Sequence, residues 1–132
     1  MGENCWIFVK KLGSNTPLEI RMRRLIGKEW PLYKLTRHRN EVTVGDKIIF
    51  YATTPHTFFW GCAKVASIER NGSELIVLLS NQKLFEKTIP AKSVASRLSF
   101  VKNPVQWGSY FQAGILRMTL GDYKFLLLKG KS

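Results

Sequence analysis

The feature that most restricts this chain is an Asn71-Gly72 pair set between two runs of strand-forming residues. Asn-Gly is the strongest short-range hairpin signal, because both residues tolerate the positive φ that a two-residue turn demands. Before it, residues 58–70 form a long aromatic and β-branched run broken only at Gly61, and after it residues 75–80 are expected to pair back. An antiparallel hairpin is therefore expected here, and the other elements must be compatible with it.

A first strand is read over residues 5–10, where Trp6, Ile7, Phe8 and Val9 are followed by two lysines and a turn-prone Gly13-Ser14-Asn15. Pro17, preceded by the cap-competent Asn15 and Thr16, opens an expected helix to about Lys28, with Leu18, Met22, Leu25 and Ile26 as its apolar stripe. Residues 29–40 read as an irregular connection, and Gly45-Asp46 as a turn into a strand over 47–51. Beyond the hairpin, strands are expected over 84–89, 98–101 and 114–118, with a turn of helix or a connection over 90–94 and a C-terminal helix placing Tyr123, Leu126 and Leu127 inward. Strand, helix, several antiparallel strands and a closing helix describe an α+β domain with a curled sheet or small barrel.

At 132 residues the chain accommodates one core, so a single domain over 1–132 is expected. No apolar run is long enough to cross a bilayer, and the first residues lack a basic leader followed by an apolar region, so a cytoplasmic location is expected. Cys5 and Cys62 lie in apolar contexts that suit buried thiols, and His38 and His56 show no metal spacing, so no metal or cofactor is expected. No glycine-rich phosphate loop, paired carboxylates or nucleophile with an adjacent base stands out, which argues against an enzyme.

Charge is the first indication of a partner. With 21 Lys and Arg against 9 Asp and Glu the formal net charge is +12, and the isoelectric point near 10.1 exceeds the ~9 typical of nucleic-acid-binding domains. Lys10, Lys11, Arg21, Arg23, Arg24, Lys28, Lys34, Arg37 and Arg39 face only Glu19 and Glu29 over residues 10–39, so more than half of the excess lies there. A solvated face or an acidic membrane surface is the plainer explanation of such a run, yet no amphipathic anchor with a wide apolar face accompanies it. Nucleic acid is the expected partner, with phosphates contacted by Lys11, Arg21, Arg23, Arg24, Lys28, Lys34, Arg37 and Arg39, and no membrane.

A base-binding pocket requires aromatic faces, since stacking contributes roughly 1–3 kcal/mol per base. Four tryptophans, four tyrosines and eight phenylalanines are available. Trp6 belongs in the core of the first strand. Trp30, after Lys28-Glu29 and before Pro31, suits either a pocket mouth or a plug at the barrel end. In Phe58-Phe59-Trp60, alternation sends Phe58 and Trp60 to one face and Phe59 to the other. Trp107, between Pro104 and Gly108, is either a lid or a cap on the core.

Several segments together resemble the EVE family, a branch of the PUA-like fold related to the YTH readers of methylated RNA. They are Cys5-Trp6-Ile7-Phe8-Val9-Lys10, Trp30, Val44-Gly45-Asp46-Lys47-Ile48-Ile49-Phe50-Tyr51, Phe59-Trp60-Gly61-Cys62-Ala63-Lys64-Val65, Leu98-Ser99-Phe100-Val101-Lys102-Asn103, Trp107-Gly108 and Met118-Thr119-Leu120-Gly121-Asp122-Tyr123. The resemblance implies a PUA-like curled barrel of mainly antiparallel strands flanked by short helices. It also implies binding of DNA or RNA with a flipped, methylated or otherwise modified base, within a larger restriction or RNA-modification system. By that similarity Trp30 corresponds to the first cage tryptophan, the backbone of Pro31, Leu32 and Tyr33 contacts the base edge, and Lys10, Ser14 and Asn15 lie nearby. No tryptophan stands between Val65 and Ile89, where the YTH pattern has its second, so Trp60, Phe58, Tyr33 and Trp107 all remain open as the other wall. A small-ligand sensor holding a free nucleobase or nucleoside, or an accessory protein acting through protein contacts, is the alternative.

Overall fold

In the computed structural model, residues 4–10, 29–32, 41–52, 57–72, 74–94, 97–98 and 115–131 are described, with positions 10, 29–32, 71, 74 and 131 described by their backbone alone. The expected helix over 17–28 and the expected strand residues 99–101 lie outside them. Six strands, β1 (Cys5–Lys10), β2 (Glu29–Leu32), β3 (Lys47–Ala52), β4 (Phe58–Asn71), β5 (Glu74–Pro90) and β6 (Ile115–Met118), form one sheet in the order β2-β5-β4-β3-β1-β6. The short helix α1 (Ala91–Val94) follows β5, and α2 (Leu120–Lys131) follows β6. The class is α+β with mainly antiparallel strands and short flanking helices. Among the described residues the sheet is open, with β2 and β6 at its edges.

The β4–β5 hairpin is the largest piece, and its turn obeys the Asn-Gly signal with a shift of one residue. Asn71 pairs with Glu74 as the last rung, and Gly72, at φ 64°, opens the two-residue loop. The segments expected as two strands over 75–80 and 84–89 are a single strand of 17 residues. Asn81, at φ 52°, takes up an extra residue where the register shifts between Cys62 and Lys64, so the ladder bends and continues.

Two further differences concern pairing. Residues 29–32, read as an irregular connection because of Pro31, form β2, with Trp30 opposite Val77 and Pro31 opposite Ile76. An edge strand tolerates proline, because the missing N–H can fall on the unpaired side. Strands β1 and β3 are parallel, with Trp6 opposite Ile48 and Phe8 opposite Phe50, since the chain crosses over between them.

Both strands are consequently central and apolar on both faces. Alternation divides their residues between two cores. Trp6, Phe8, Ile48, Phe50, Trp60, Val65 and Val77 pack on one side. Cys5, Ile7, Ile49, Tyr51, Phe59, Met118, Tyr123 and Leu126 pack on the other, with Leu127 at its margin. Helix α2 covers this second side; Thr119 caps it by accepting the Asp122 backbone N–H at 3.1 Å on Oγ1. Leu98, expected within a strand, is outside any strand and buried in the second core.

A buried carboxylate ties the first strand to the rest. Asp46 is 1% exposed. Its Oδ2 accepts the Trp6 indole N–H at 2.9 Å and the Thr43 backbone N–H at 2.8 Å, and its Oδ1 accepts the Thr43 hydroxyl at 2.9 Å and the Asn4 backbone N–H at 3.1 Å. The turn that presents it is closed by the Asp46 N–H on the Thr43 carbonyl, with Gly45 at φ 92° where a side chain would be strained. Gly45 N–H and Val65 N–H then exchange bonds with the carbonyls of Val65 and Asp46, both at 2.9 Å.

Replacing this carboxylate leaves the buried indole and nearby backbone donors without acceptors, each costing about 1–3 kcal/mol. Asp46→Ala is expected to lose at least about 3 kcal/mol, measured as a lower denaturant midpoint at unchanged slope; a shift under about 1 kcal/mol would remove this role.

Alkaline pH tests the second core. Burial, with smaller contributions from Cys62 and Cys5, pushes the Tyr123 phenol up to about 12, and burial pushes Tyr51 up further. A folded value above the unfolded one contributes stability that is complete below the ordinary phenol value of about 10 and is lost as pH rises through the folded value. Phenolate absorbance is therefore expected to show Tyr51 and Tyr123 ionising only as the protein unfolds, with stability declining from about pH 10 upward. Reversible titration of all four tyrosines near 10 with the fold retained would contradict this packing.

Candidate nucleic-acid interface

The residues expected to build a pocket and a basic rim fall into three groups. Lys11, Ser14, Asn15, Arg21, Arg23, Arg24, Lys28, Tyr33, Lys34, Arg37, Arg39 and Trp107 lie outside the described residues. Lys10, Trp30, Pro31 and Leu32 are placed by their backbone, the first at the end of β1 and the other three on the edge strand β2. Residues opposite one another in an antiparallel ladder share a face. Positions 30 and 32, across from Val77 and Leu75, therefore stand on the face of the sheet occupied by the first core.

Phe58 and Trp60 are described in full. Both associate with the first core and Phe59 with the second, as alternation requires. Trp60 is the extra residue of a bulge in β4, where Phe50 pairs with Gly61 and Tyr51 with Phe59. Its ring stacks on Phe50 with centroids 4.8 Å apart and planes 18° from parallel. The whole residue is 0% exposed, so it presents no face to solvent, whereas Phe58 is half-buried at the margin.

Among the described residues, two buried side-chain polar atoms on the β4–β5 ladder have no hydrogen-bond partner, the Trp60 Nε1 donor and the Gln82 Oε1 acceptor. The fully buried indole of Trp6, by contrast, donates to Asp46. An unmatched buried polar group costs about 1–3 kcal/mol, so a donor and an acceptor are held here at some expense of stability.

Sequence reasoning missed a group of cations on the opposite face. Lys64 stands directly across from Lys47 in the β3–β4 ladder. Ser80 is across from Lys64, and Lys83 across from Cys62, in the β4–β5 ladder. Lys47 is two residues before Ile49 of the second core, so alternation puts all of these positions on the side that α2 covers. Burial lowers the Lys47 ammonium pKa, and the charges of Lys64 and of Lys124 on α2 lower it further. Lys64, Lys83 and Lys124 are exposed. Lys47 and Lys64 are far apart in sequence, so only the strand register brings them together.

At the same end of the sheet, Arg117 donates through Nη2 to Asn4 Oδ1 at 2.6 Å and lies 3.5 Å from Glu41 Oε1. Its guanidinium carbon is 5.7 Å from the Trp6 ring centroid. Among the described residues no group of three or more His, Cys, Asp or Glu could hold a metal ion, and no helix is long and apolar enough to cross a membrane.

Like charges directly opposed across a ladder are destabilising. Lys64→Gln is therefore expected to raise stability, on the order of 0.5 kcal/mol at low ionic strength, with the gain fading as salt screens the pair. Equal midpoints for the two proteins at low salt would mean that the ammonium groups do not interact.

No family model matches the sequence, and no curated protein matches it either. Solved structures do. An Agrobacterium tumefaciens protein determined by X-ray crystallography superposes with a TM-score of 0.68 at 13% identity, over 96% of this chain and 92% of that one. The N-terminal domain of McrB from Staphylothermus marinus superposes with a TM-score of 0.64 at 10% identity, over 93% of each chain. The ASCH protein from Zymomonas mobilis superposes with a TM-score of 0.62 at 12% identity, over 94% of each chain. What is shared at such identities is the fold, PUA-like and nearly complete in extent.

Proposed function

We propose that this chain is a nucleic-acid-binding module, without catalysis of its own, that selects a flipped and modified base. The excess of 21 bases over 9 acids carries this reading, on a PUA-like fold whose structural neighbours include the N-terminal domain of McrB and an ASCH protein. Cations supply affinity by releasing counterions from phosphates, and a pocket supplies selectivity. The EVE-like pattern supports Trp30 as the stacking wall. A methyl group on an exocyclic amine weakens base pairing and adds apolar surface, so it eases extrusion and favours an aromatic enclosure. The same resemblance supports a place in a restriction or RNA-modification system.

The test is a binding screen across modified and unmodified DNA and RNA oligonucleotides at several salt concentrations. Trp30→Ala is expected to keep the fold and lose the preference for the modified base, a loss of stacking of about 1–3 kcal/mol. Arg23 and Arg24 replaced together by glutamine are expected to weaken binding to every sequence and reduce the salt slope by about 2. Tight binding of a free nucleoside, insensitive to salt, would instead identify a small-ligand sensor.

A further inference from the structure

Trp60 Nε1 and Gln82 Oε1, the buried donor and acceptor without partners, stand on one face of the sheet. Trp60 and Ala63 belong to the first core, and Leu84 packs against it. Leu84 is across from Gly61 and Lys83 across from Cys62, so Gln82, two residues before Leu84, falls beside Ala63 on that same face. Trp60 and Gln82 therefore flank one strip of the sheet, whose β4 residues on this face are Gly61 and Ala63. From β4 that strip carries no side chain larger than a methyl group. Gly61 could not accept even that, since a Cβ there would stand 2.7 Å from the Lys83 carbonyl oxygen and 3.4 Å from the Phe50 ring.

Both polar side chains are delivered by breaks in the ladder. Trp60 falls at the register shift between Phe59 and Gly61, and Gln82 follows Asn81 at the shift between Cys62 and Lys64. Bulges re-aim side chains and are frequent next to binding sites. A covered donor and a covered acceptor without partners weaken the fold, so a ligand supplying both partners would recover the hydrogen bonds that folding leaves unmade. The Trp60 indole is entirely covered, with its ring on Phe50, whereas Gln82 keeps part of its surface in solvent, so the pair is reached from the Gln82 end.

We propose that Trp60 Nε1 and Gln82 Oε1 read the edge of a nucleobase, the first donating to a ring nitrogen or carbonyl oxygen and the second accepting from the neighbouring N–H. The inference rests on the nucleic-acid reading above and gives Trp60 a polar role in place of a stacking one. The pairing edge of a nucleobase presents an acceptor next to a donor, and it is free to be read once the base has left the helix. A flat ring lying over Gly61 and Ala63 has the clearance that a strip without large side chains provides. The modification accepted follows from the count of hydrogens. An exocyclic amine with one methyl group keeps one N–H for Gln82, and with two methyl groups it keeps none. A site that hydrogen-bonds a donor rejects the analogue lacking it, so a singly methylated amine is admitted and a doubly methylated one is refused.

The experiment uses fluorescent oligonucleotides in which one adenine or cytosine carries no, one or two methyl groups on its exocyclic amine. Binding is titrated for the wild type and for Gln82→Met, which keeps the length of the side chain and removes the acceptor. The wild type is expected to bind the singly methylated oligonucleotide about tenfold more tightly than the doubly methylated one. Gln82→Met is expected to lose that difference, with an unchanged salt slope because phosphate contacts are untouched, and to be at least as stable as the wild type because an unmatched acceptor is gone. In parallel, the Trp60 indole N–H resonance, assigned by its absence in Trp60→Phe, is expected to move downfield when the wild type is saturated with the singly methylated oligonucleotide. Equal binding of the singly and doubly methylated oligonucleotides, or an unmoved Trp60 resonance, would overturn the inference. If Trp30→Ala still abolished the preference for a modified base in that case, the proposed function would stand. A contact from the Trp60 N–H to a long-lived water, retained in the complex, would assign the pair to internal hydration and overturn the inference as well. A wild type with no salt-dependent nucleic-acid binding would overturn both readings.

Discussion

The buried Asp46 carboxylate is the constraint on which the rest of the sheet depends. It is taken out of water only because four donors surround it, and those donors come from the start of β1, the 43–46 turn and the Trp6 indole. The parallel pairing of β1 with β3 is set there: Lys47 N–H bonds the Asn4 carbonyl at 3.0 Å, one residue on from the carboxylate. Val65 joins from β4 through the backbone of the same turn. A charge satisfied jointly by the start of β1 and the turn before β3 holds these two in register, because slipping β1 by one residue would take the Trp6 indole and the Asn4 N–H away from it.

With β1 and β3 held centrally, the sheet has apolar residues on both faces, and its two sides acquire different characters. One side gathers Trp6, Phe50 and Trp60, with the edge strand β2 beside Val77 and Leu75. The other is closed by α2 and bordered by Lys47, Lys64, Lys83 and Lys124. A domain this basic must spread its cations over a small surface, and strand register decides which of them become neighbours.

Much of the fold was legible from local pattern. Residues 5–10, the β3 run after Gly45-Asp46, the β4 run and the C-terminal helix stand where residue type and alternation place them, and the Asn71-Gly72 signal marks the hairpin turn to within one residue. The failures have physical causes. Pro31 argues against a strand unless the strand is at an edge, and edge position is a property of the sheet. Asn81 and its neighbours look like a break between two strands, and only the partner strand β4 turns the break into a bulge. Of the expected pocket residues, Trp60 is a fully covered core residue stacked on Phe50; alternation gives its side of the sheet, but only the pairing of β4 with β3 brings it onto Phe50.

Sequence by itself determined what depends on neighbours along the chain: the composition of the strands, the turn residues, the helix cap, and a strongly cationic surface, since Lys and Arg cannot be buried in such numbers. Tertiary structure alone decided which strands are adjacent, that β1 and β3 run parallel, that Asp46 meets Trp6, and that Lys47 faces Lys64. The reason is that a side chain's chemistry is local, whereas its partner is chosen by a register between strands tens of residues apart. That register follows from the joint burial of two apolar faces and one carboxylate, and no single segment encodes it.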